Sequence, residues 1–179
     1  MRLFSLAAAL MIGLMALAAP SAAQDALLLD DAAKAQLIAA PKLREGEPDL
    51  AALGRRPVLV TFFASWCPPC AAEFAQLTQF IADEGENEVD IIAVNWFESL
   101  TGKSNARLAR MIGRIHPSIA VVEGTDALDQ QFGGVFSAPA AYLFDASGTE
   151  VFRLGGDRGA HGRHFLRKEQ LKAVLGKIG

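Results

Sequence analysis

Hydrophobic and polar positions along the chain form segments of two kinds. Residues 58–63 (VLVTFF) carry no charge, a pattern typical of a central strand that is buried on both faces. Beyond that strand, apolar side chains recur three or four positions apart, which is the spacing of one helix face. They are Cys70, Phe74, Leu77 and Ile81. The two patterns predict a buried strand that is followed directly by an amphipathic helix over 69–83.

The rest of the chain continues this alternation. Further strands are predicted at 90–96, 119–122, 140–144 and 151–154. Further helices are predicted at 104–115, 126–132 and 164–178. Strands alternate with helices until the last two strands, which a turn at 145–148 joins into a hairpin. The chain is therefore predicted to be an α/β protein.

The N-terminus has a different character. A basic start, an almost wholly apolar run over 3–19 and small residues up to Ala23 are typical of a secretory signal peptide. We predict a cleaved signal peptide over 1–23 and a periplasmic location. An uncleaved membrane anchor is the alternative, because the apolar run approaches the length of a bilayer span. Residues 24–47 are expected to form a lead-in with one short helix, and residues 48–179 a single domain.

The charge balance narrows the class of partners. The 179 residues carry 17 Lys and Arg against 20 Asp and Glu, a formal net charge of -3. A chain with an acidic excess is not expected to bind nucleic acid, since such binding needs a positive field. Nothing in the sequence points to an obligate dimer, so we expect a monomer.

The chain has two cysteines, Cys67 and Cys70, and both stand where the predicted strand meets the predicted helix. A Cys-x-x-Cys pair in that position is typical of a redox-active dithiol. At a helix start the free N–H groups and the helix dipole favour a thiolate, so we predict that Cys67 is the attacking thiol. Cys70 falls inside the first turn, and we predict that it is the more buried, resolving thiol.

Four neighbours of the cysteines are candidate site residues. Pro68 and Pro69 suit a helix start, and they remove two N–H donors from the surroundings of the first sulfur. Less stabilisation of the thiolate favours a reductant over a strong oxidant. Trp66 is expected to shield the sulfur and to offer a flat contact to a partner. Glu73 lies at the edge of the apolar stripe, where desolvation would raise its pKa and let it exchange a proton with a cysteine.

The cysteine pair also has other interpretations. A purely structural disulfide would close so small a loop that it would stabilise little. A zinc site would need His161 and His164 as further ligands, although structural zinc sites usually present cysteine pairs in loops. Thiolates also suit Cu(I), so a copper-binding metallochaperone that uses both cysteines and one histidine is the alternative from another class. A disulfide-forming oxidant is the second enzymatic alternative.

These motifs together resemble the thioredoxin superfamily and, within it, the exported TlpA/ResA-like thiol-disulfide oxidoreductases. The resemblance covers residues 48–179. It rests on VLVTFFASWCPPCAAEF, on FGGV at 132–135, on Ala138–Pro139 and on LFDASG at 143–148. It implies a thioredoxin-like fold, with a central mixed sheet flanked by helices. It also implies a protein thiol-disulfide oxidoreductase, for which we expect no cofactor and no metal.

The resemblance assigns roles to single residues. Pro139 is expected to be a cis-proline that faces the disulfide, and Ala138 to offer backbone groups to a client chain. Glu73 matches the acid that the family often carries after its second cysteine. Many cytosolic thioredoxins have a buried aspartate six residues before the first cysteine, whereas this chain has Thr61. Proton handling would then fall to Glu73, to water or to a partner.

The activity expected from these arguments is the reduction of disulfides in client proteins. Clients of the resembled family include apocytochromes c that await haem and copper-site proteins of respiratory oxidases. A membrane thiol reductase is expected to restore the dithiol, because the periplasm offers no cytosolic reductant.

Overall fold

A mixed β-sheet lies at the centre of the computed structural model, which describes residues 26–98, 105–156 and 164–178. The strands are β1 (Val58–Phe63), β2 (Asp90–Asn95), β3 (Ala120–Glu123), β4 (Ala140–Phe144) and β5 (Glu150–Leu154). Within these residues they form one five-stranded sheet in the order β3-β2-β1-β4-β5. β1, β2 and β3 run parallel, whereas β4 pairs antiparallel with both β1 and β5.

Helices cover both faces of this sheet. They are α1 (Asp31–Ala39), α2 (Pro68–Glu84), α3 (Asn105–Ile112), α4 (Asp126–Gln131) and α5 (Lys168–Ile178). α2 and α5 pack on one face, together with Met111 and Ile112 of α3, and α1 and α4 pack on the other. A short 3-10 helix, Leu50–Ala52, precedes β1. The predicted central mixed sheet flanked by helices is confirmed.

The apolar character of β1 follows from its central place in the sheet. All six of its residues are buried. Alternate side chains point to opposite faces, so Leu59 and Phe63 join one core cluster while Val60 and Phe62 join the other. Thr61 shares the face of Leu59 and Phe63 and is itself fully buried. The strand therefore places one hydroxyl in the core on the side of α2.

The last helix begins later than the sequence predicts. Residues 164–167 are not helical, so the predicted helix start at His164 is wrong. The physical reason lies in a long-range contact, because the Leu166 N–H donates to the Glu73 carboxyl of α2 (2.8 Å). That bond holds the segment against α2, outside the helix.

The other predicted strands and helices are confirmed, with boundaries that differ by at most three residues. The largest difference is at the end of α3, which was expected to reach Ile115. There the chain changes to tighter turns, in which the Arg114 N–H donates to the Met111 carbonyl (3.0 Å). Ser104, the expected first residue of that helix, lies outside the described residues.

The predicted lead-in packs onto the sheet. α1 buries Ala33 and Leu37 in the core of its face. The Arg44 guanidinium donates to three backbone carbonyls, those of Ile115, Pro117 and Ile119. Arg44 also pairs with the buried Glu47, which accepts the N–H of Val121 in β3. The segment before β1 is thus fastened to the edge of the sheet at β3.

The predicted signal peptide over 1–23 lies outside the part of the chain that the structure describes. Among the helices in the described part, none is long and apolar enough to cross a bilayer. Cleavage after Ala23 and a domain start at residue 48 stay predictions.

Candidate redox site at the start of helix α2

The two cysteines form a disulfide where β1 leads into α2, with their Cα atoms 5.3 Å apart. Cys67 is the N-cap of α2, and its sulfur accepts the Cys70 N–H (3.2 Å). Its own N–H donates to the Ala64 carbonyl (3.1 Å). Pro68 and Pro69 open the helix at positions where a proline loses no intrahelical bond. The predicted order of strand, Cys-x-x-Cys turn and helix is confirmed.

The loop before β4 covers the first cysteine. The Ala138–Pro139 peptide bond is cis, as the resemblance implied, and the Ala138 carbonyl oxygen lies 3.6 Å from Cys67 Sγ. Cys67 is consequently 4% exposed and Cys70 1% exposed, so the expected order of burial holds by a small margin. Gly155 passes close to the same loop, at φ 72°, where an added Cβ would lie 2.6 Å from the Pro139 oxygen. The Ala138–Pro139 loop therefore covers the sulfur of Cys67 on this side.

Glu73 is buried more completely than its place at the edge of the apolar stripe predicts. Its side chain is 1% exposed, one helical turn after Cys70. Thr61 Oγ1 donates to Oε1 (2.5 Å), and the Leu166 N–H donates to Oε2 (2.8 Å). Burial raises the pKa of Glu73 from 4.5 to about 7, while the two hydrogen bonds offset part of the rise. Thr61, which stands where many cytosolic thioredoxins have an aspartate, thus bonds to Glu73, the candidate proton carrier.

The remaining predicted contact residues lie around the disulfide. Trp66 is half-buried, and its indole N–H donates to the Phe97 carbonyl (3.1 Å). Pro68 is exposed and Pro69 half-buried, as is Ala138 across the disulfide. Phe136, which the sequence reasoning did not single out, exposes 49% of its surface two residues before Ala138. The roles of these residues in client binding stay predictions.

Glu98 is a buried acid near the site that the sequence reasoning missed. Its side chain is 8% exposed and bonds to Ser65, two residues before Cys67. Helical or strand periodicity cannot find such a residue, because it lies in a loop after β2. A usable signal was available, since polar residues that follow neighbouring parallel strands gather at one edge of a sheet. Ser65 follows β1 and Glu98 follows its parallel neighbour β2, so the two residues fit that rule, and they bond to each other (2.5 and 2.8 Å).

The zinc and copper alternatives need a histidine close to the two cysteines. Within the described ranges, no group of three or more His, Cys, Asp or Glu side chains could hold a metal ion. His164 lines a surface groove together with Leu154 and Arg167, and the lining includes neither cysteine. His161 lies outside the described ranges.

Comparison with known proteins defines the class. The sheet order, the Cys-x-x-Cys pair at the N-terminus of α2 and the cis-proline loop are features of a thioredoxin-like protein. A family model described as Redoxin matches residues 31–155. The chain belongs to this family.

Individual relatives narrow the class further. The chain is 33% identical over 112 residues to the thiol:disulfide interchange protein DsbE of Pseudomonas aeruginosa, a match that covers 60% of this chain and 54% of DsbE. It is 27% identical over 130 residues to the thiol-disulfide oxidoreductase ResA of Bacillus thuringiensis, covering 73% of this chain and 68% of ResA. The chain thus spans about half the length of the first of these relatives.

A solved structure supports the fold. The crystal structure of a secreted Mycobacterium tuberculosis disulfide oxidoreductase, homologous to Escherichia coli DsbE, superposes with a TM-score of 0.59 at 18% identity. The superposition covers 80% of this chain and 98% of that one. The predicted thioredoxin-like fold and the predicted place among TlpA/ResA-like proteins are confirmed.

Proposed function

We propose that this protein is a thiol-disulfide oxidoreductase that reduces disulfides in client proteins. The observation that carries the proposal is the Cys67–Cys70 disulfide at the N-terminus of α2, with Cys67 Sγ 3.6 Å from the Ala138 carbonyl oxygen. The Ala138 backbone offers hydrogen-bonding groups to an extended client segment beside the reacting sulfur. The names of DsbE and ResA, which refer to thiol-disulfide chemistry, support the same activity.

The reaction proceeds in two exchange steps. In the reduced protein the Cys67 thiolate attacks one sulfur of a client disulfide. A bond forms between Cys67 Sγ and that sulfur, and the other client sulfur leaves as a thiolate. The Cys70 thiolate then attacks Cys67 Sγ, which releases the second client thiolate and forms the Cys67–Cys70 disulfide. Two electrons pass to the client, and its two thiolates take up the protons that the dithiol gives up.

Glu73 accepts the proton of Cys70 before the second step. It lies one turn further along the buried face of α2, and a pKa of about 7 lets it hold or release a proton near neutral pH. Thr61 and Leu166 fix its two oxygens. When Oε1 takes up a proton, the Thr61 hydroxyl can change from donor to acceptor, so both forms of the carboxyl keep their partners.

The first turn of α2 supports the proposed direction of electron flow. Pro68 and Pro69 carry no N–H, so neither can donate to Cys67 Sγ, which accepts the Cys70 N–H. A thiolate with fewer donors is less stable relative to the disulfide, and this makes the dithiol a better reductant. A membrane thiol reductase would return electrons to the pair, since the periplasm offers no cytosolic reductant.

The protein is exported and acts on clients outside the cytoplasm. The apolar run over 3–19 and the small residues before Gln24 support export with a cleaved signal peptide. The crystal structure of a secreted oxidoreductase with this fold agrees with an extracytoplasmic site of action. Apocytochromes c and copper-site proteins of respiratory oxidases are the client classes, and the protein acts on them as a monomer.

An insulin reduction assay tests the activity. Cys67→Ser should abolish reduction, because no attacking thiolate remains. In Cys70→Ser the Cys67 thiolate should still attack, and a mixed disulfide with the client should accumulate. Mass spectrometry of the unreduced sample detects this species. Insulin reduction that persists in Cys67→Ser would refute the mechanism.

The reduction potential of the Cys67–Cys70 pair tests the proposed direction of electron flow. A redox series with dithiothreitol should give about -270 mV or a little above, the range of thioredoxin. A value near about -120 mV, the range of strong periplasmic oxidants, would reverse the proposed direction and favour a disulfide-forming oxidant.

A further inference from the structure

We infer that Glu98 is a positioning residue for the redox turn, which we define as residues 65–67. The inference rests on the proposed function, since it concerns the same site. Glu98 bonds to neither cysteine, and it would act directly through Ser65 and, by way of its neighbour Phe97, through Trp66. Three observations carry the inference: the bonds of the carboxylate, the conformation of Phe97 and the place of this loop beside a cleft.

Both oxygens of the Glu98 carboxylate bond to the redox turn. Oε1 accepts the Ser65 N–H (2.5 Å), and Oε2 accepts the Ser65 hydroxyl (2.8 Å). Asn95 Nδ2, at the end of β2, donates to Oε1 (2.9 Å) and fixes the carboxylate from another direction. Arg107 Nε of α3 donates to Ser65 Oγ (3.0 Å). A chain of charge-assisted hydrogen bonds therefore joins β2 and α3 to the residue two positions before Cys67.

The residue before Glu98 holds the next residue of the turn. Phe97 has φ 65°, and it is the one non-glycine residue in the described ranges with a positive φ. Such a backbone conformation is unfavourable for a bulky residue and persists where its surroundings impose it, often at functional sites. In this conformation the Phe97 carbonyl accepts the indole N–H of Trp66 (3.1 Å). Two consecutive loop residues thus hold two consecutive residues of the redox turn.

The loop lies between the redox turn and a cleft of about 560 Å³. Trp96, Phe97 and Glu98 line this cleft, as does the exposed Asp126 at the start of α4. Asp126 therefore provides a matched control, because it is a carboxylate of the same cleft on a different element. A loss of charge in the cleft can then be separated from a loss of the bonds to Ser65.

The first measurement compares Glu98→Gln with Asp126→Asn in the insulin assay. Glutamine preserves the shape of the side chain and can still accept the Ser65 N–H, but it removes the charge that strengthens both bonds and turns the Ser65 hydroxyl from donor to acceptor. We expect kcat/KM to fall about tenfold in Glu98→Gln, because small displacements of reacting groups are costly in rate. Asp126→Asn should stay within about twofold of the parent protein. Thermal unfolding of each variant supplies the correction for any loss of folded protein.

The second measurement reads the position of the turn without any client. The chain has two tryptophans, so a Trp96→Phe background leaves Trp66 as the reporter. We expect Glu98→Gln to change the difference in Trp66 emission between the disulfide and dithiol forms, and Asp126→Asn to leave it unchanged. Ser65→Ala should shift it similarly, and the double variant should show less than the sum of both effects, since one set of bonds is shared.

Two results would overturn the inference. One is a Glu98→Gln protein with unchanged kcat/KM and unchanged Trp66 emission. The other is a loss of activity that matches only the loss of folded protein, because Glu98 would then serve stability alone. If the parent protein reduces no insulin, the proposed function fails, while the Trp66 emission still tests the role of Glu98.

Discussion

Replacing Glu73 by glutamine should remove a pH dependence of stability that we expect for the wild-type protein between pH 4.5 and about 7. The pKa of Glu73 is about 7 in the folded protein, against an ordinary value of 4.5. Between these two values the unfolded chain has lost this proton and the folded protein keeps it. The free energy of unfolding therefore falls as the pH rises. The stabilisation is complete below pH 4.5 and is lost once the pH passes about 7.

The size of the effect follows from the same two values. The rise from 4.5 to about 7 corresponds to about 3 kcal/mol, at about 1.4 kcal/mol per pKa unit. Glutamine imitates the protonated acid, because its oxygen can accept the Leu166 N–H while its NH₂ donates to Thr61 Oγ1. Glu73→Gln should thus match the wild type near pH 4.5 and be about 3 kcal/mol more stable above pH 7.5.

Urea unfolding of the disulfide form at half-unit steps from pH 4.5 to 8 measures this difference. Glu86→Gln, which removes an exposed carboxyl from the turn after α2, serves as the control and should follow the wild-type curve. A constant difference between Glu73→Gln and wild type at every pH would refute the reasoning, because it would show that Glu73 ionises in the folded protein as it does in the unfolded chain.

Two further predictions concern the contacts of buried polar groups. Thr61→Val should move the upper end of that pH dependence to higher pH by about one unit, because it removes a hydrogen bond that lowers the pKa of Glu73, whereas Thr61→Ser should leave it in place. Arg44→Ala should lower the free energy of unfolding by about 3 kcal/mol in urea, because it leaves the buried Glu47 carboxylate without its cation. Adding Glu47→Gln to Arg44→Ala should restore part of the lost free energy of unfolding, because it removes the unpaired carboxylate. If the double variant recovers nothing, the bonds from Arg44 to the backbone carbonyls contribute more to stability than its ion pair with Glu47 does.

Local patterns were enough to predict the centre of the fold and the cysteine pair. β1 and α2 are recognisable because an unbroken apolar run and a helical apolar stripe are properties of neighbouring residues. The non-helical segment before α5 was not predictable in this way, since it is held by a bond between Leu166 and Glu73, which are 93 positions apart. The partner of Glu98 is also distant, since Ser65 is 33 positions away, and only the rule for residues that follow neighbouring parallel strands could have linked the two.

Two irregularities in the sequence have one structural explanation. Thr61 is a polar residue inside an apolar strand, and Glu73 is an acid at the edge of the apolar stripe of a helix. Each would be costly to bury without a partner, and the structure buries them together with a hydrogen bond of 2.5 Å. The sequence did not predict that the two side chains meet, because the contact between a strand and the helix packed on it is not visible in either pattern.

The strand order β2-β1-β4 determines which groups meet at the disulfide. β1 and β2 are parallel, with Phe63 opposite Asn95, so the redox turn and the loop that carries Glu98 both leave the sheet at the C-terminal ends of these two strands. β4 is antiparallel to β1, with Phe62 opposite Ala140, so the cis-proline loop enters the sheet at the same end. A slip of one residue in either pairing would turn the side chains of the slipped strand to the opposite face. The surroundings of Cys67 therefore depend on strand register as directly as on the residues that contact its sulfur.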